Sequence, residues 1–478
     1  MEKKKYEKII ISIILIIQTI IFIIVGANKS YIHMDEAYSL GLASYDKVEI
    51  QDNENFYNIW HDGKYYEDYL CVNDDEIGQY KQVYENQKND VHPPLYYLIL
   101  RFAMGFHKNS YSKWPGIIIN MIIYAFVTIF MYLILNKILK DKYKYKEKSA
   151  IIAMVSSLVL ASITNVIYIR MYALSTLNVL ITTYLHLMLL EKKEIDYKLL
   201  IFIGISALAG SLTHYYYLFY LAMMFIMFAI KYIKEKRYKE LIAYIVTMCI
   251  AGVTSLIIFP YSIKHLFFGY RGQGALSKLT QISEFLKSIK MYIKKFNRHA
   301  FNGLLFILLA LIVGLGIYKK ANKKKIFENK NQYIKYIAIP TAFYTLLVSL
   351  SAPWIELRYI MPVCGLVFIL IIYLLENVLE NIFNEKNVRI LAERFYMIGR
   401  NFLSYKKRIR NCPDSFLCTA YSSSSSSATM APMVPNILVT TATTTNNTSS
   451  RIQPRKIMIS ICKRLPFFLF LFIIFDNF

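Results

Sequence analysis

The sequence predicts an all-α polytopic membrane protein. Of its 478 residues 56% are hydrophobic, and uncharged apolar runs recur at about the 20 residues that a helix needs to cross a bilayer. These runs are apolar on every side, whereas the helices of a soluble bundle would carry an apolar stripe on one side only. Lysines gather in the short links between the runs, which is the distribution that orients a membrane protein.

About ten membrane spans are predicted, with links that alternate between the two sides of the membrane. The basic N-terminus, ahead of a retained first helix, indicates a cytoplasmic start by the positive-inside rule. The apolar run 94–106 is too short to cross and predicts an interfacial or re-entrant helix. A second outer loop, 261–300, contains one predicted amphipathic helix near 280–296. The predicted spans are residues 9–27, 117–139, 150–168, 173–190, 199–212, 217–230, 241–260, 301–318, 334–351 and 360–377.

Composition divides the chain into two regions. Residues 1–387 form the predicted transmembrane domain, and residues 28–116 within it form a large first outer loop that carries juxtamembrane helices. Residues 388–478 contain a six-serine run and a threonine-rich stretch, and such low-complexity sequence cannot bury enough apolar surface to order. We therefore expect residues 388–478 to be a disordered tail or a sequence artefact, and no functional residue is sought there.

Charge is distributed unevenly along the chain. The formal net charge of +24 comes mainly from lysines between the spans, and no basic domain interleaved with aromatic residues is present, so nucleic acid is not expected as a partner. Residues 28–92 reverse the trend, with 14 acidic residues against five lysines. A carboxylate-rich loop held against a membrane is suited to polar chemistry on a lipid-borne substrate.

Asp35 and Glu36 are the candidate catalytic residues. They lie just beyond the first span in a segment, 30–45, that is otherwise uncharged, so they are the acidic residues of the loop nearest to the membrane. A carboxylate near low-dielectric surroundings can have a raised pKa and act as a general base. The alternative is that both are ordinary solvated loop acids, of which this loop has many.

Basic and aromatic residues at the predicted outer helix ends are the candidate ligands for a lipid phosphate. Six arginines occur before residue 388, and three of them lie at such ends. The planar fork of arginine suits bidentate phosphate binding, although an interfacial arginine can also simply extend to the membrane surface. The histidines could bind phosphate or metal, or could serve a rigid loop entry before prolines and an aromatic belt. The candidates are His92, Arg170, Tyr172, His214, Arg271, Arg358 and Tyr359.

Five short motifs follow one another along the chain in a distinctive order. They are Asp35-Glu36, His92-Pro93-Pro94-Leu95-Tyr96-Tyr97, Arg170-Met171-Tyr172-Ala173-Leu174, Thr213-His214-Tyr215 and Arg358-Tyr359-Ile360-Met361-Pro362. This order resembles that of the GT-C membrane glycosyltransferases. The similarity is closest to the protein-mannosyltransferase-like and aminoarabinose-transferase-like group, often called glycosyltransferase family 39, and covers about residues 8–380. Members of that group commonly have more spans than this chain shows before its tail.

The resemblance implies a GT-C-like helical bundle with its active site on the outer face of the cell membrane. It implies a sugar donor linked to polyprenyl phosphate, and an acceptor hydroxyl, amine or phosphate group on a glycan, lipid or protein. It also implies that Asp35 is the catalytic base or orients the acceptor, with Glu36 beside it. The leaving phosphate is already acidic, so it needs the cations Arg170, Arg271 and Arg358 rather than a general acid. Attack from the opposite face of the sugar predicts inversion at the anomeric carbon.

Cofactors and two other functional classes are left open. Some relatives hold a metal at the outer site, and a divalent metal is possible in this chain, although no fixed ligand spacing supports one. A polytopic transporter or lipid flippase would place ionisable groups near the bilayer midplane, often in two related halves, and the sequence has no convincing internal repeat. A polysaccharide polymerase or ligase would share the lipid-phosphate substrate and the outer site. The weak metal candidates are His33, Glu36, His92 and His214.

Overall fold

The computed structural model describes residues 2–44, 63–139, 147–278, 282–322 and 331–379. Throughout these ranges the regular elements are helices, and no β-strand is present among them. The tail predicted over residues 388–478 lies outside the described residues. The α-helices are α1 (Glu2–Ala27), α2 (Met34–Ser44), α3 (Gly63–Leu70), α4 (Tyr80–Asn89), α5 (Leu95–Met104), α6 (Trp114–Leu139), α7 (Glu147–Ser157), α8 (Leu160–Ile167), α9 (Tyr172–Leu189), α10 (Tyr197–Ser211), α11 (Tyr217–Lys234), α12 (Tyr238–Ile258), α13 (Tyr270–Lys278), α14 (Ile282–Ala300), α15 (Leu305–Ala321), α16 (Ile334–Ser351) and α17 (Met361–Leu379).

Seven of the described helices are long and apolar enough to cross a membrane, or nine if each of two bent helix pairs counts as one span. The seven are α1, α6, α9, α11, α12, α16 and α17. The bent pairs are α7 with α8, which turn by 60°, and α14 with α15, which turn by 96°. The predicted polytopic helical membrane protein is therefore confirmed. The count of about ten spans and the cytoplasmic N-terminus stay predictions.

The predicted span 150–168 is broken in the structure into α7 and α8. Just before the break, the hydroxyls of Ser156 and Ser157 donate to main-chain carbonyls one turn earlier, at 2.8 and 2.7 Å. Such side-chain bonds compete with the helical ladder, and Val159 then adopts an extended conformation with φ −65° and ψ 153°. The local serine chemistry therefore interrupts a run that hydropathy alone reads as continuous.

Three further predictions concern α10, α5 and α14. The predicted span 199–212 is α10, whose 15 residues give a length of about 22 Å, less than the roughly 30 Å of a bilayer core. The predicted interfacial or re-entrant run is α5, which has 10 residues and buries Tyr96, Tyr97 and Leu100 inside the protein. The amphipathic helix predicted near 280–296 is α14.

The centre of the bundle is formed by α6, α9 and α17. Within their membrane windows 56%, 78% and 72% of the residues are buried in the protein, against 22% for α1 and 17% for α12. α6 packs against α9 and α1, and α17 packs against α9 and α16. The outer sides of α1 and α12 leave isoleucine, valine and leucine side chains exposed, which a lipid environment tolerates over such an area and water does not.

Close packing draws several links together at one end of the bundle. Gly116 in α6 lets Ile169, in the α8–α9 link, approach its backbone, since a Cβ at this glycine would lie 2.4 Å from the isoleucine side chain. Arg101 of α5 donates to the carbonyls of Ala43 and Ser44 at 3.1 and 2.7 Å, and so neutralises the negative C-terminal end of α2. These contacts fix α2 against α5 and the α8–α9 link against α6.

Candidate active site

Asp35 lies in the first turn of α2, where the chain enters that helix from the end of α1. The main-chain carbonyl of His33 accepts hydrogen bonds from the backbone N–H groups of Glu36 and Ala37. The ring nitrogen Nδ1 of His33 accepts a hydrogen bond from the N–H of Asp35 at 3.1 Å. Carboxylates at this end of a helix are stabilised by the helix dipole. The local sequence therefore specifies both the start of α2 and the position of its two acids.

The Asp35 carboxylate is held from one side. Its Oδ2 accepts a hydrogen bond from the Tyr168 hydroxyl at 2.6 Å and forms a salt bridge with Nη1 of Arg358. The same Nη1 donates to the Tyr168 oxygen at 2.7 Å, which closes a triangle of three side chains. No residue in the described ranges donates to Oδ1, and the Asp35 and Arg358 side chains are 22% and 19% exposed. One carboxylate oxygen is therefore open to a ligand.

The electrostatic surroundings keep Asp35 ionised. Burial alone would raise its pKa, but the guanidinium groups of Arg170 and Arg358 and the Tyr168 hydroxyl together lower the pKa of Asp35 to about 2. Burial also lowers the pKa of His33, so this imidazole is neutral near pH 7 despite the carboxylate beside it. The raised pKa expected for a carboxylate near the membrane is not found, because two arginines outweigh the effect of burial.

Arg170 supplies a second cation from the α8–α9 link. Its Nη1 donates to the backbone oxygen of Asp35 at 3.1 Å, to the hydroxyl of Ser39 at 3.0 Å and to that of Tyr97 at 3.5 Å. The Nε groups of Arg170 and Arg358 are buried without an acceptor, and no described residue accepts from their Nη2 groups. Two guanidinium groups that contact Asp35 thus keep N–H donors that no described residue uses.

Glu36 has a different environment from its neighbour. It is 1% exposed and forms a salt bridge with Lys29, while Oε1 also accepts the N–H of Ile169 at 2.8 Å and Oε2 accepts that of His33 at 2.9 Å. Lys29 donates in addition to the carbonyl of Ile167 at 2.6 Å. Glu36 therefore ties the α1–α2 link to the α8–α9 link, and its geometry favours a positioning role over the predicted catalytic one.

His92 and His214 lie side by side where α5 begins. Their ring centroids are 6.1 Å apart, and the N–H of Leu95 donates to the carbonyl of Leu212, which joins the start of α5 to the α10–α11 turn. Nδ1 of His92 bonds the carboxylate of Asp90 at 2.7 Å. Burial lowers the pKa of His92 and lowers that of His214 further, so both rings are neutral near pH 7. They can form hydrogen bonds there but add no positive charge.

Tyrosines line the space between the histidines and the arginines. Tyr172 stacks on Tyr168 with ring centroids 6.4 Å apart, and its centroid is 5.5 Å from that of His214. Tyr359 meets Tyr172 edge to face at 6.1 Å and Tyr216 at 5.7 Å. Tyr172 and Tyr359 are buried, so these rings pack mainly against one another and hold the arginines and histidines in place.

Arg271 brings a third cation from α13. Its guanidinium carbon lies 4.2 Å from the ring centroid of Trp354 and 5.0 Å from that of Tyr270. Within the described ranges it forms no salt bridge, and its Nε is buried without an acceptor. Gly272 makes this placement possible, because a Cβ there would lie 2.2 Å from the carbonyl oxygen of Leu266. Arg271 thus keeps donors for a ligand, although it reaches the cluster less directly than the other two arginines.

The predicted binding and catalytic residues come together at one end of the bundle. Arg271 joins the group through Trp354, because its guanidinium lies over that ring and Trp354 belongs to the same α16–α17 link as Arg358. Hydrogen bonds and ring contacts directly connect Asp35, Arg358, Arg170, Tyr168, Tyr172, Tyr359, His214 and His92.

The metal-ligand set suggested by the sequence is not assembled in the described part of the chain. No three His, Cys, Asp or Glu residues there are grouped so that they could hold an ion. Glu36 is engaged by Lys29, and His92 by Asp90, while His33 and His214 lie in separate neighbourhoods. The geometry thus gives no support to a metal at these positions.

Sequence reasoning missed several partners of the site. Tyr168 stands two residues before Arg170, and Asp90 stands two residues before His92, so proximity to a candidate was the available signal. Trp354 stands four residues before Arg358 in the same link. The Lys29–Glu36 pair had no such signal, because the chain between them must fold back before the two side chains can meet.

One cavity bears on the transporter alternative. It has a volume of about 10 Å³, room for about one water molecule, and lies between α6, α8, α9 and α17. Polar side chains of Tyr124, Ser162 and Thr176 contribute to its lining, which contains no charged residue. A space of this size admits no solute larger than water, so this cavity gives no support to a transport site.

Comparison with known proteins assigns no family to this chain. No protein-family model, no curated protein and no solved structure matches it. The resemblance to GT-C glycosyltransferases stays a prediction, which rests on the order of five motifs in the sequence.

Proposed function

We propose that this protein is a GT-C-type membrane glycosyltransferase. It moves a sugar from a polyprenyl-phosphate donor to a hydroxyl, amine or phosphate group of a glycan, lipid or protein acceptor at the extracytoplasmic face. The observation that carries the proposal is the arrangement at Asp35, where an open carboxylate oxygen lies beside guanidinium groups with unused donors. Such a site offers a base for an acceptor and a cradle for an anion, at the end of a bundle where a lipid phosphate would lie.

The charge of the cluster supports an anionic ligand. Arg170, Arg271 and Arg358 bring three guanidinium groups to the site, against the carboxylates of Asp35 and Asp90. Arginine binds phosphate through parallel, charge-assisted N–H···O bonds that are stronger than neutral ones. The unused donors would bind the phosphate of the donor lipid and stabilise the negative charge that grows on it as the sugar leaves.

The proposed transfer is a single displacement. The acceptor oxygen attacks the anomeric carbon while the bond between that carbon and the phosphate oxygen breaks. The released polyprenyl phosphate takes the bonding electron pair, and the proton of the acceptor hydroxyl passes to Oδ1 of Asp35. Because nucleophile and leaving group occupy opposite faces of the sugar, the configuration of the anomeric carbon is inverted.

Arg358 couples the two halves of this reaction. Although burial acts in the opposite direction, the charges of Arg170 and Arg358 lower the pKa of Asp35 to about 2, which makes it a weak base. A donor phosphate competes with Asp35 for the guanidinium of Arg358. When the phosphate draws that group away, the pKa of Asp35 rises, so the carboxylate is the stronger base when the donor is bound.

Substitution Asp35→Asn tests the proposal directly. Asparagine keeps the shape of the side chain but cannot accept the proton of an acceptor, so we expect transfer to fall by about 10³-fold. The assay uses purified protein in liposomes with a panel of radiolabelled hexoses and pentoses linked to polyprenyl phosphate. It follows the label into the acceptor fraction together with the release of polyprenyl phosphate.

Asp75→Asn is the matched control, because Asp75 is an exposed acid of the same loop and forms no hydrogen bond or salt bridge with Arg170, Arg271 or Arg358. This variant should retain wild-type transfer. Full activity of the Asp35 variant would overturn the role given to Asp35. Absence of transfer by the wild-type protein with every donor of the panel would overturn the proposed activity itself.

A further inference from the structure

The helix α14 carries a row of cations on one side. At about 100° per residue, Lys287, Lys290 and Lys294 fall within an arc of about 60° around the helix axis. All three side chains are exposed, and the exposed Arg298 continues the row toward the end of the helix. The proposed sugar transfer makes no use of this basic side.

The opposite side of α14 is anchored in the protein. Tyr292 and Phe296 are 1% and 8% exposed, and the helix packs against α16. The Tyr292 hydroxyl donates to the carbonyl of Trp354 at 3.3 Å. On the flank between the two sides, Leu286 and Ile293 remain 61% and 43% exposed. The helix therefore has a protein side, an apolar flank and a basic side.

The turn that follows α14 sets it across the direction of α15. The two helices meet at 96°, through a turn in which Asn302 and Gly303 have φ angles of 51° and 88°. Asn297 secures the turn, since its carbonyl accepts the N–H of Gly303 at 2.8 Å and its side-chain oxygen accepts that of Leu305 at 2.9 Å. If α15 crosses the membrane, a helix at a right angle to it lies along the membrane surface.

The lysines of the basic side are not committed to the protein. Lys287 lies 3.6 Å from Glu284, but these side chains are 65% and 53% exposed, so water screens their interaction. Among the described residues, none accepts a hydrogen bond from Lys290 or Lys294. Lys295, which lies on the protein side of the row, contacts the carboxylate of Glu356, in the α16–α17 link, at 3.1 Å. The row therefore retains its charge for a partner outside the protein.

We propose that α14 is an interfacial helix that binds the headgroups of anionic phospholipids through Lys287, Lys290 and Lys294. Charge complementarity identifies the partner, because ammonium groups at the level of the headgroups attract lipids that carry net negative charge. The exposed Leu286 and Ile293 enter the acyl boundary beside them. The binding needs no sugar donor, and it accounts for the lysines of a loop that the predicted topology places on the side where lysine is otherwise scarce.

Quenching of tryptophan fluorescence by brominated lipids measures this binding locally. Trp354 is 53% exposed and lies beside α14, and the chain has three tryptophans, so Trp60→Phe and Trp114→Phe leave one emitter. The full-length parent with these changes is reconstituted in phosphatidylcholine vesicles that contain either brominated phosphatidylglycerol or brominated phosphatidylcholine. We expect the anionic lipid to quench at least about twofold more strongly, and the excess to shrink at high salt.

Two variants of the same three positions form a matched pair. Lys287→Gln, Lys290→Gln and Lys294→Gln together should abolish the excess quenching, whereas three Lys→Arg changes should keep it because the charge is retained. Equal quenching by both lipids in the parent, or an unchanged excess in the glutamine variant, would overturn the proposal. Circular dichroism confirms that both variants fold. The result does not depend on whether the protein transfers sugar.

Discussion

Two buried polar regions of the molecule differ in how far their hydrogen bonds are satisfied. In the first, Nδ1 of His186 donates to the carbonyl of Thr182 at 2.7 Å, and Nε2 accepts from the hydroxyl of Tyr244 at 3.0 Å. The Thr182 hydroxyl meets that of Tyr217 at 2.6 Å. These contacts join α9 to α10, α11 and α12 and form the His186 network, which consists of Thr182, Thr183, His186, Ser206, Tyr217, Tyr220 and Tyr244.

The second region is the Asp35 cluster, which consists of Asp35, Tyr168, Arg170 and Arg358. The Nε groups of Arg170 and Arg358 are buried without acceptors. In the His186 network, every buried side-chain N or O atom has a hydrogen-bond partner. An unsatisfied buried donor costs free energy, so it needs a partner such as an ordered water molecule or a ligand. An ionisable residue inside a membrane bundle suggests function by default, but the complete bonding of His186 marks it as structural. The comparison therefore favours the Asp35 cluster as the site of the proposed chemistry and the His186 network as a structural element.

Substitution of Arg358 should break the Asp35 cluster with the largest effect. Arg358→Gln should lower kcat/KM by about 10³-fold, because the developing phosphate charge loses its fork of donors. Arg358→Lys should recover part of that loss, since it restores the charge but not the planar fork. The measurement is transfer per folded molecule with the donor identified in the panel. Unchanged transfer in the glutamine variant would contradict the role given to this arginine.

Glu36→Gln tests the ion pair between Lys29 and Glu36, in which both charges have partners. This pair lies next to the Asp35 cluster, in which some donors have none. The substitution should destabilise the protein by about 3 kcal/mol, because Lys29 is then buried without its carboxylate. The change is read from thermal unfolding in detergent. The double variant Lys29→Met/Glu36→Gln should recover much of the stability, since it leaves no charge unpaired. Equal stability of the single variant and the wild type would show that the pair is not structural.

The pH dependence of stability gives a third test. The pKa of Asp35 is about 2 in the folded protein against 3.8 as its ordinary value, despite the opposing effect of burial. Its ionised form therefore adds about 2 kcal/mol of stability above about pH 4, which is lost as the pH falls through about 2. Thermal unfolding of wild type and Asp35→Asn between these pH values should converge on acidification. A stability difference that is constant with pH would contradict the ion pairs.

His186→Phe should have the smallest effect and should not reach the chemistry. It leaves the Tyr244 hydroxyl without its partner, at a cost of about 1 kcal/mol. Transfer per folded molecule should be unchanged. Thr247→Ala is the control, because it removes a hydroxyl that bonds the carbonyl of Ala243 within the same helix, at 2.8 Å, and does not join two helices. A large loss of transfer in the His186 variant, with the protein folded, would reverse the comparison between the two regions.

Long spans could be predicted from sequence because apolar length is a local property. The run 173–190 is α9, Tyr172–Leu189, and the run 117–139 lies inside α6, Trp114–Leu139. The break between α7 and α8 escaped prediction, because it depends on serine hydroxyls that turn back onto their own helix. Hydropathy averages over such residues and cannot register the competition between side chain and backbone.

The residues of the candidate site could be predicted from the sequence, but the hydrogen bonds and the salt bridge between them could not. Scarcity of arginine and position at helix ends were enough to single out Arg170 and Arg358. Their shared attachment to Asp35 depends on helix ends separated by more than a hundred residues in the chain. The same separation concealed Tyr168, whose hydroxyl completes the triangle around the carboxylate.

The sequence by itself determined the membrane class, the short list of polar residues and the amphipathic character of α14, since each follows from the order of residues along one segment. Only the tertiary structure showed how the surroundings of Asp35 and Glu36 differ. These neighbours leave α2 about 100° apart around its axis, so one meets Arg358 and the other meets Lys29. Whether a side chain of α2 remains open to a ligand or is enclosed depends on the links that pack around the helix. No local sequence pattern encodes which links these are.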